Sequence, residues 1–174
     1  MRKTHFLLAL LLISPLLTAN ADKADTNINK DISEKYDDAI KDFSYLDTKG
    51  KEHKFSDHKG KWVLINYWAT YCPPCLAEIP DIDRFAQDNK KTFVSLGIDA
   101  GGSSPAEIDA FKKRLNVHYP LIPGQESALL AFGMVEAIPT SYIVSPKGVV
   151  VKKYVGIITY DDLDYFVHPP IFEK

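Results

Sequence analysis

The chain has 174 residues, of which 45% are hydrophobic and 25% charged, as expected for a single globular domain rather than a disordered or collagenous chain. Its formal net charge is −2, so it has no bulk electrostatic attraction for nucleic acid, and we expect no nucleic-acid partner. It contains only two cysteines, Cys72 and Cys75, which excludes a framework of several structural disulfides.

Residues 1–21 have the pattern of a secretory signal peptide. Arg2 and Lys3 form a basic segment, residues 6–17 form an apolar run, and residues 19–21 offer small side chains at the cleavage positions. The apolar run is short for a membrane span, which needs about 20 residues. We therefore predict an exported, periplasmic protein that is soluble after signal cleavage, with an uncleaved membrane anchor as the alternative.

A flexible leader and a β-hairpin are predicted next. Residues 22–38 are polar and almost free of aromatic side chains, which predicts a leader ahead of one folded domain of residues 39–174. Within the domain, residues 43–46 alternate like a half-buried strand, residues 47–51 carry turn residues, and residues 52–55 can return as the second strand.

A strand and a helix flank the two cysteines. Residues 62–67 are apolar on both faces, which is typical of a strand covered on both sides. The following helix is predicted to begin with Cys72 as its N-cap and Pro73 at its first position, where a missing N–H has no cost. In this context a Cys-x-x-Cys motif predicts a dithiol redox site. The positive end of the helix dipole favours a thiolate at Cys72, and the thiolate is the form that attacks a disulfide.

The rest of the chain alternates strands and helices. The predicted elements are a strand at 92–98, a capped helix from Ser104, a short strand at 119–122, a short helix at 126–132, strands at 137–144 and 149–155, and a last helix from Thr159. The final two strands are separated by a Pro-Lys-Gly turn and should pair antiparallel. Together these elements predict an α/β fold with a central mixed β-sheet and helices on both of its faces.

These motifs resemble those of the thioredoxin superfamily, and within it the exported TlpA/ResA/DsbE-like thiol-disulfide oxidoreductases. The resemblance spans about residues 40–166. The residues that carry it are the segment Trp68-Ala69-Thr70-Tyr71-Cys72-Pro73-Pro74-Cys75, then Glu78, Pro80 and Ile138-Pro139-Thr140. The helix and short strand between Ser103 and Ile122 are similar to an insert of this family. The resemblance implies a thioredoxin-like fold with an N-terminal β-hairpin and this helix–strand insert.

The resemblance also implies catalytic roles. Cys72 is expected to be the nucleophile and Cys75 the resolving thiol, and Glu78 is expected to take part in proton transfer. A glutamate that only complements the helix dipole is the alternative for Glu78. Independently of the family, Pro73 and Pro74 remove two N–H donors from the first helical turn and add no positive charge. We therefore predict a less stabilised thiolate and a more reducing couple.

The expected substrate groove consists of Trp68, Tyr71, Pro73, Pro74, Ile138 and Pro139. By resemblance, Pro139 follows a cis peptide bond and lies against the dithiol, which leaves the backbone of Ile138 free to pair with an extended substrate. An ordinary turn proline is the alternative for Pro139, and core packing is the alternative for Trp68. Tyr71 stands where the family most often has tryptophan. Asn66 stands where thioredoxin has a buried aspartate, so the chain lacks that proton acceptor.

The sequence thus predicts an exported reductant of protein disulfides that uses the Cys72–Cys75 dithiol itself and no separate cofactor. The resemblance implies disulfide-containing protein substrates, with apocytochrome c in cytochrome c maturation as the best-known case, and a DsbD/CcdA-like membrane electron donor. No second Cys pair accompanies the motif, and no Cys or carboxylate cluster accompanies His53 and His58, so we expect no metal site.

Two alternatives remain open at this point. The first is a thiol peroxidase, because peroxiredoxins share the fold, although they have Thr three residues before the reactive Cys and this chain has Ala69. The second is a copper-binding or chaperone module that uses the same groove. Copper-delivery proteins on this fold have more widely spaced cysteines than Cys72 and Cys75.

Overall fold

The structure is a computed structural model that describes residues 40–169. The predicted signal peptide of residues 1–21 and the leader of residues 22–38 lie outside the described residues. The elements in chain order are β1 (Ser44–Leu46), β2 (Glu52–Lys54), a 3-10 helix (Phe55–His58), β3 (Trp62–Trp68), α1 (Pro73–Asp88), β4 (Phe93–Asp99), α2 (Pro105–Arg114), β5 (Leu121–Ile122), α3 (Glu126–Leu130), β6 (Thr140–Val144), β7 (Val150–Val155) and α4 (Tyr160–Val167).

The central sheet has five strands in the order β5-β4-β3-β6-β7. Strand β3 pairs parallel with β4 and antiparallel with β6, while β4 pairs parallel with β5 and β6 antiparallel with β7. The sheet is therefore mixed, as predicted. Strands β1 and β2 form a separate antiparallel hairpin, also as predicted.

Strand β3 is covered on both faces. Its successive side chains point to opposite faces of the sheet, and each face packs in a different hydrophobic core. Leu64 and Trp68 pack in one hydrophobic cluster, together with residues of α1, α2 and α4. Val63, Ile65 and Tyr67 pack in the other, together with the β1–β2 hairpin and α3. Helices thus lie on both faces of the sheet, which confirms the predicted architecture.

The topology brings two distant segments of the chain to one edge of the sheet. Strand β3 ends at Trp68, just before the cysteines. Strand β6 runs antiparallel to β3, so it starts where β3 ends, and Thr140 pairs with Tyr67. The residue before Thr140 is Pro139. The dithiol and the proline segment, more than 60 residues apart in sequence, therefore meet at the start of α1.

The predicted N-cap of α2 is present in the structure. Ser104 Oγ accepts a hydrogen bond from the N–H of Glu107 (3.3 Å), and Glu107 Oε2 accepts one from the N–H of Ser104 (2.8 Å). This reciprocal pair is a capping box, which satisfies N–H groups that the helix cannot satisfy internally.

Replacement of Ser104 with alanine should therefore destabilise the fold. We expect Ser104→Ala to lower the free energy of unfolding by about 1 kcal/mol, because it removes the cap acceptor. Chemical denaturation measures this change, with Ser104→Thr as the matched control that keeps the hydroxyl. Equal stability of Ser104→Ala and the wild type would contradict a stabilising role for the capping box.

Candidate active site

The two cysteines form a disulfide at the N-terminus of α1. Cys72 is the N-cap, and its Sγ accepts a hydrogen bond from the N–H of Cys75 (3.3 Å). Pro73 and Pro74 fill the first two helical positions and have no N–H, so the N–H of Cys75 is the first donor that the helix offers. Cys72 retains 6% of its surface exposed and Cys75 none. An attacking group from solvent therefore reaches Cys72 first.

The proline segment lies directly against the dithiol. The carbonyl oxygen of Ile138 is 3.9 Å from Cys72 Sγ. The Ile138–Pro139 peptide bond is cis, which confirms the sequence expectation. Pro139 is buried and Ile138 half-buried, and the carbonyl of Pro139 accepts a hydrogen bond from the N–H of Gly156 (2.9 Å). The loop between β7 and α4 thus holds the proline segment in place beside Cys72.

The other expected groove residues separate into exposed and buried ones. Tyr71 is 70% exposed, and Pro73 and Pro74 are exposed as well, so the three form an apolar surface beside Cys72. The expectation for Trp68 as a groove residue was wrong. Trp68 is fully buried because its position in β3 directs it into the core, where its ring lies 4.7 Å from that of Phe111.

The loop after β4 supports Tyr71. A Cβ added at Gly101 would lie 2.9 Å from Tyr71 Cε1 and 2.8 Å from Ala69 Cβ, so the aromatic ring packs closely against this glycine. The buried carboxylate of Asp99 accepts from the N–H of Ser103 (2.6 Å) and thereby closes the loop. Nothing in the sequence pattern indicated this support, because it depends on contacts between the segments that follow β3 and β4.

Glu78 lies on α1, three residues beyond Cys75, and is buried, with 1% of its surface exposed. Its Oε1 accepts from Asn66 Nδ2 (2.7 Å), and its Oε2 accepts from the backbone N–H of Ile158 (3.0 Å). Burial raises the pKa of Glu78 to about 7, against the opposing effect of the hydrogen bonds from Ile158 and Asn66. Glu78 is thus not an exposed residue that only complements the helix dipole, and its carboxyl group can gain or lose a proton near neutral pH.

The sequence singled out Asn66 only for the proton acceptor that it lacks, and its contact with Glu78 was missed. Asn66 also donates to Ser141 Oγ (3.0 Å), so one amide connects Glu78 on α1 with Ser141 on β6. Ile158 was not singled out at all, since its contribution is a backbone N–H. A polar side chain in an otherwise apolar strand was the one available signal for Asn66, because a buried polar group requires hydrogen-bond partners.

The described part of the chain contains no group of three or more His, Cys, Asp or Glu side chains arranged to hold a metal ion. His118 instead donates through its backbone N–H to Asp83 Oδ1 (2.6 Å) and pairs through Nδ1 with Asp83 Oδ2 (2.8 Å). Across residues 40–169, no helix is both long and apolar enough to cross a membrane.

Comparison with known proteins places these features in a family. The model of the AhpC/TSA family matches residues 36–153. Thiol-disulfide oxidoreductase ResA of Geobacillus thermodenitrificans is 31% identical over 123 residues, which are 70% of this chain and 70% of that protein. ResA of Bacillus subtilis is 33% identical over 121 residues, which are 67% of this chain and 65% of that protein.

Solved structures show the same architecture. A thioredoxin-family thiol:disulfide interchange protein from Chlorobium tepidum superposes with a TM-score of 0.68 at 28% identity, covering 74% of this chain and 92% of that one. The exposed lipoprotein thioredoxin of Streptococcus pneumoniae superposes with a TM-score of 0.64 at 29% identity, covering 73% and 98%. The fold is therefore thioredoxin-like, as the sequence predicted.

The raised pKa of Glu78 predicts a specific pH dependence of stability. The folded pKa of about 7 lies above the unfolded value of 4.5, so the folded state binds more protons between these pH values, and stability falls as pH rises through them. We expect the wild type to lose about 3 kcal/mol of unfolding free energy relative to Glu78→Gln between pH 4.5 and 8. Denaturation of both oxidised proteins across this range measures the difference. A difference that does not vary with pH would contradict a buried, titrating Glu78.

Proposed function

Because the chain belongs to the AhpC/TSA family and is a thiol-disulfide oxidoreductase related to ResA, we propose that it acts as a reductant of protein disulfides. The observation that carries this proposal is the Cys72–Cys75 pair at the start of α1, in which Cys72 keeps a small exposed area and Cys75 is fully buried. This arrangement separates an attacking sulfur from a resolving one. Electrons are carried by the dithiol alone, and the proposal includes no separate cofactor.

The reaction proceeds through a mixed disulfide. The thiolate of reduced Cys72 attacks one sulfur of the substrate disulfide, a Cys72–substrate S–S bond forms, and the other substrate sulfur leaves as a thiolate that takes up a proton. The thiolate of Cys75 then attacks Cys72 Sγ, breaks the mixed disulfide and releases the second substrate thiolate. Two electrons pass to the substrate, and the protein is left with the Cys72–Cys75 disulfide.

Glu78 supports the second step as a proton acceptor. Cys75 is fully buried, so its thiol has no direct access to solvent water and needs a base within the protein before it can attack. Glu78 lies on the same helix, three residues beyond Cys75, and the pKa of its carboxyl group is raised by burial to about 7. A base with a pKa near the working pH is well suited to accept and release protons.

The exposed apolar surface around Cys72 is suited to an unfolded or extended polypeptide. Tyr71, Pro73 and Pro74 offer apolar contacts, and the backbone of Ile138 lies beside the reactive sulfur for strand-like pairing. This supports protein disulfides as the substrate class. Apocytochrome c, whose haem-attachment cysteines must be reduced, is the candidate that we propose for cytochrome c maturation.

The cellular setting follows from the direction of electron flow. An oxidising compartment would leave the Cys72–Cys75 pair oxidised, so a reductant there must be recharged by another dithiol. We propose export through the signal of residues 1–21, a soluble periplasmic protein after cleavage, and a DsbD/CcdA-like membrane protein as the electron donor. The signal-like pattern of the N-terminal sequence and the similarity to an exposed lipoprotein thioredoxin support export.

The reduction potential of the Cys72–Cys75 couple tests the direction of electron flow. We expect a value near that of thioredoxin, about −270 mV, because the two prolines leave few N–H donors to stabilise a thiolate on Cys72. Equilibration with thiol redox buffers measures it. A value near about −120 mV, typical of a strong oxidase, would reverse the proposed direction.

A variant without the resolving thiol tests the mechanism. Cys75→Ser should still attack through Cys72 but accumulate the mixed disulfide with a model protein disulfide, because no second sulfur displaces the product. Non-reducing electrophoresis detects the adduct, and Cys72→Ser is the matched control that should form little of it. Peroxide consumption at a rate that exceeds disulfide reduction would instead identify a peroxidase.

A further inference from the structure

The amide of Asn66 is held between two side chains and keeps one atom unpaired. Asn66 is fully buried, and its Nδ2 donates to both Glu78 Oε1 (2.7 Å) and Ser141 Oγ (3.0 Å). Among the described residues, Asn66 Oδ1 has no hydrogen-bond partner. The amide therefore presents its donor group to the carboxylate, which is the arrangement required when Glu78 is ionised and can only accept.

Protonation of Glu78 adds a donor to this arrangement. A neutral carboxyl group can still accept, but its O–H needs an acceptor, and neither the Nδ2 of Asn66 nor the N–H of Ile158 offers one. Rotation of the Asn66 amide by 180° about its Cβ–Cγ bond exchanges the positions of Nδ2 and Oδ1. The oxygen would then accept from the O–H of Glu78 and from the hydroxyl of Ser141, which can either donate or accept. The turn gives up the two hydrogen bonds of Nδ2 and moves this group to the position of Oδ1, an atom without a partner among the described residues, so its cost is offset only when Glu78 has an O–H to donate.

We propose that Asn66 is a positioning residue whose amide turns as Glu78 gains or loses its proton, so that the buried carboxyl group is hydrogen-bonded in both of its protonation states. The inference rests on the proton-transfer role of Glu78 given under the proposed function. Ser141 serves as the second anchor of the amide in both orientations.

The other partners of Glu78 cannot adapt in this way. The backbone N–H of Ile158 is a fixed donor and favours the ionised form alone. An aspartate in place of Asn66 would set a second negative charge against Glu78 in a buried site, and like charges so close disfavour ionisation of both. An amide supplies a donor and an acceptor without charge, which is what a carboxyl group that alternates between two states requires.

Two tyrosines are the described titratable side chains that interact electrostatically with Glu78, and both are neutral near neutral pH. Tyr119, in the segment before β5, and Tyr154, on β7, interact electrostatically with Glu78, and burial raises the pKa of both phenols further above 10. Asp162, on α4, accepts from the hydroxyl of Tyr154 (3.5 Å), beyond the tyrosine. Cys75, on α1, is in the disulfide. The amide of Asn66 therefore responds to the charge of Glu78 itself.

Nuclear magnetic resonance of the oxidised full chain tests the turn directly. The Glu78 carboxyl carbon reports its titration, and nuclear Overhauser contacts between the Asn66 side-chain NH2 protons and Ser141 report the orientation of the amide. We expect these contacts to be strong above the Glu78 midpoint and lost below it, with the same midpoint for both signals. If the contacts between the Asn66 NH2 protons and Ser141 persist while Glu78 titrates, the amide does not turn and the inference is wrong.

Two variants sharpen the test. Glu78→Gln cannot titrate, so the Asn66 contacts should become independent of pH. Asn66→Ala should raise the Glu78 midpoint by about one pH unit, because a hydrogen bond to a charged group is stronger than one to a neutral group. An unchanged midpoint in Asn66→Ala would overturn the positioning role. The wild-type measurement needs no variant, so the inference stays testable if Asn66→Ala does not fold.

These measurements separate the inference from the proposed function. The carboxyl titration and the amide contacts do not require catalysis, so they support or overturn the role of Asn66 even in a protein that reduces no disulfide. If the protein is an active reductase, the pH profile of kcat/KM should shift in Asn66→Ala in the same direction as the Glu78 midpoint. An active protein whose profile is unchanged by Asn66→Ala would contradict the inference alone.

Discussion

The carboxylate of Glu78 is the point at which three separate parts of the chain are held together around the dithiol. Glu78 belongs to α1, its Oε1 is bound by Asn66 of β3, and its Oε2 is bound by the N–H of Ile158 ahead of α4. A buried carboxyl group without such partners would be strongly destabilising. With them, burial and hydrogen bonding act in opposite directions on the pKa of Glu78 and leave it at about 7. The same contacts that complete the core thus give Glu78 a pKa near neutral pH.

The proline segment lies beside the reactive sulfur because of the directions of the strands in the sheet. A wholly parallel arrangement would place the start of β6 at the opposite end of the sheet from the end of β3. Because β6 is antiparallel to β3, Pro139 and the carbonyl of Ile138 lie beside Cys72. The loop after β7 then returns to the same edge, where Gly156 donates to Pro139 and Ile158 to Glu78. Cys72, the proline segment and the N–H that binds Glu78 are therefore brought together at one edge of the sheet.

Two electrostatic effects act in opposite directions at the start of α1. A helix N-terminus favours a thiolate through its dipole and free N–H groups, while Pro73 and Pro74 remove two of those groups from the first turn. The N–H of Cys75 is left to donate to Cys72 Sγ. Fewer donors mean less stabilisation of the thiolate, which favours transfer of electrons away from the dithiol. The balance between these effects decides whether the protein reduces or oxidises its partners.

Local sequence was sufficient for the elements and for the dithiol. The cap at Ser104, the cysteine cap of α1 and the apolar strand β3 are set by residues within a few positions of one another, and each was predicted correctly. The thioredoxin-like fold followed from the order of these elements together with the family resemblance.

The environment of the site was decided by tertiary structure alone. Trp68 was expected in the groove, but the alternation of β3 turns it into the core beside Phe111. Glu78 could be named from the sequence, yet its partners Asn66 and Ile158 are 12 and 80 residues away from it. Periodicity reports which face of an element is apolar, whereas the pKa of a carboxyl group depends on which atoms surround it. Those atoms come from strands and loops whose proximity is fixed only when the sheet is assembled.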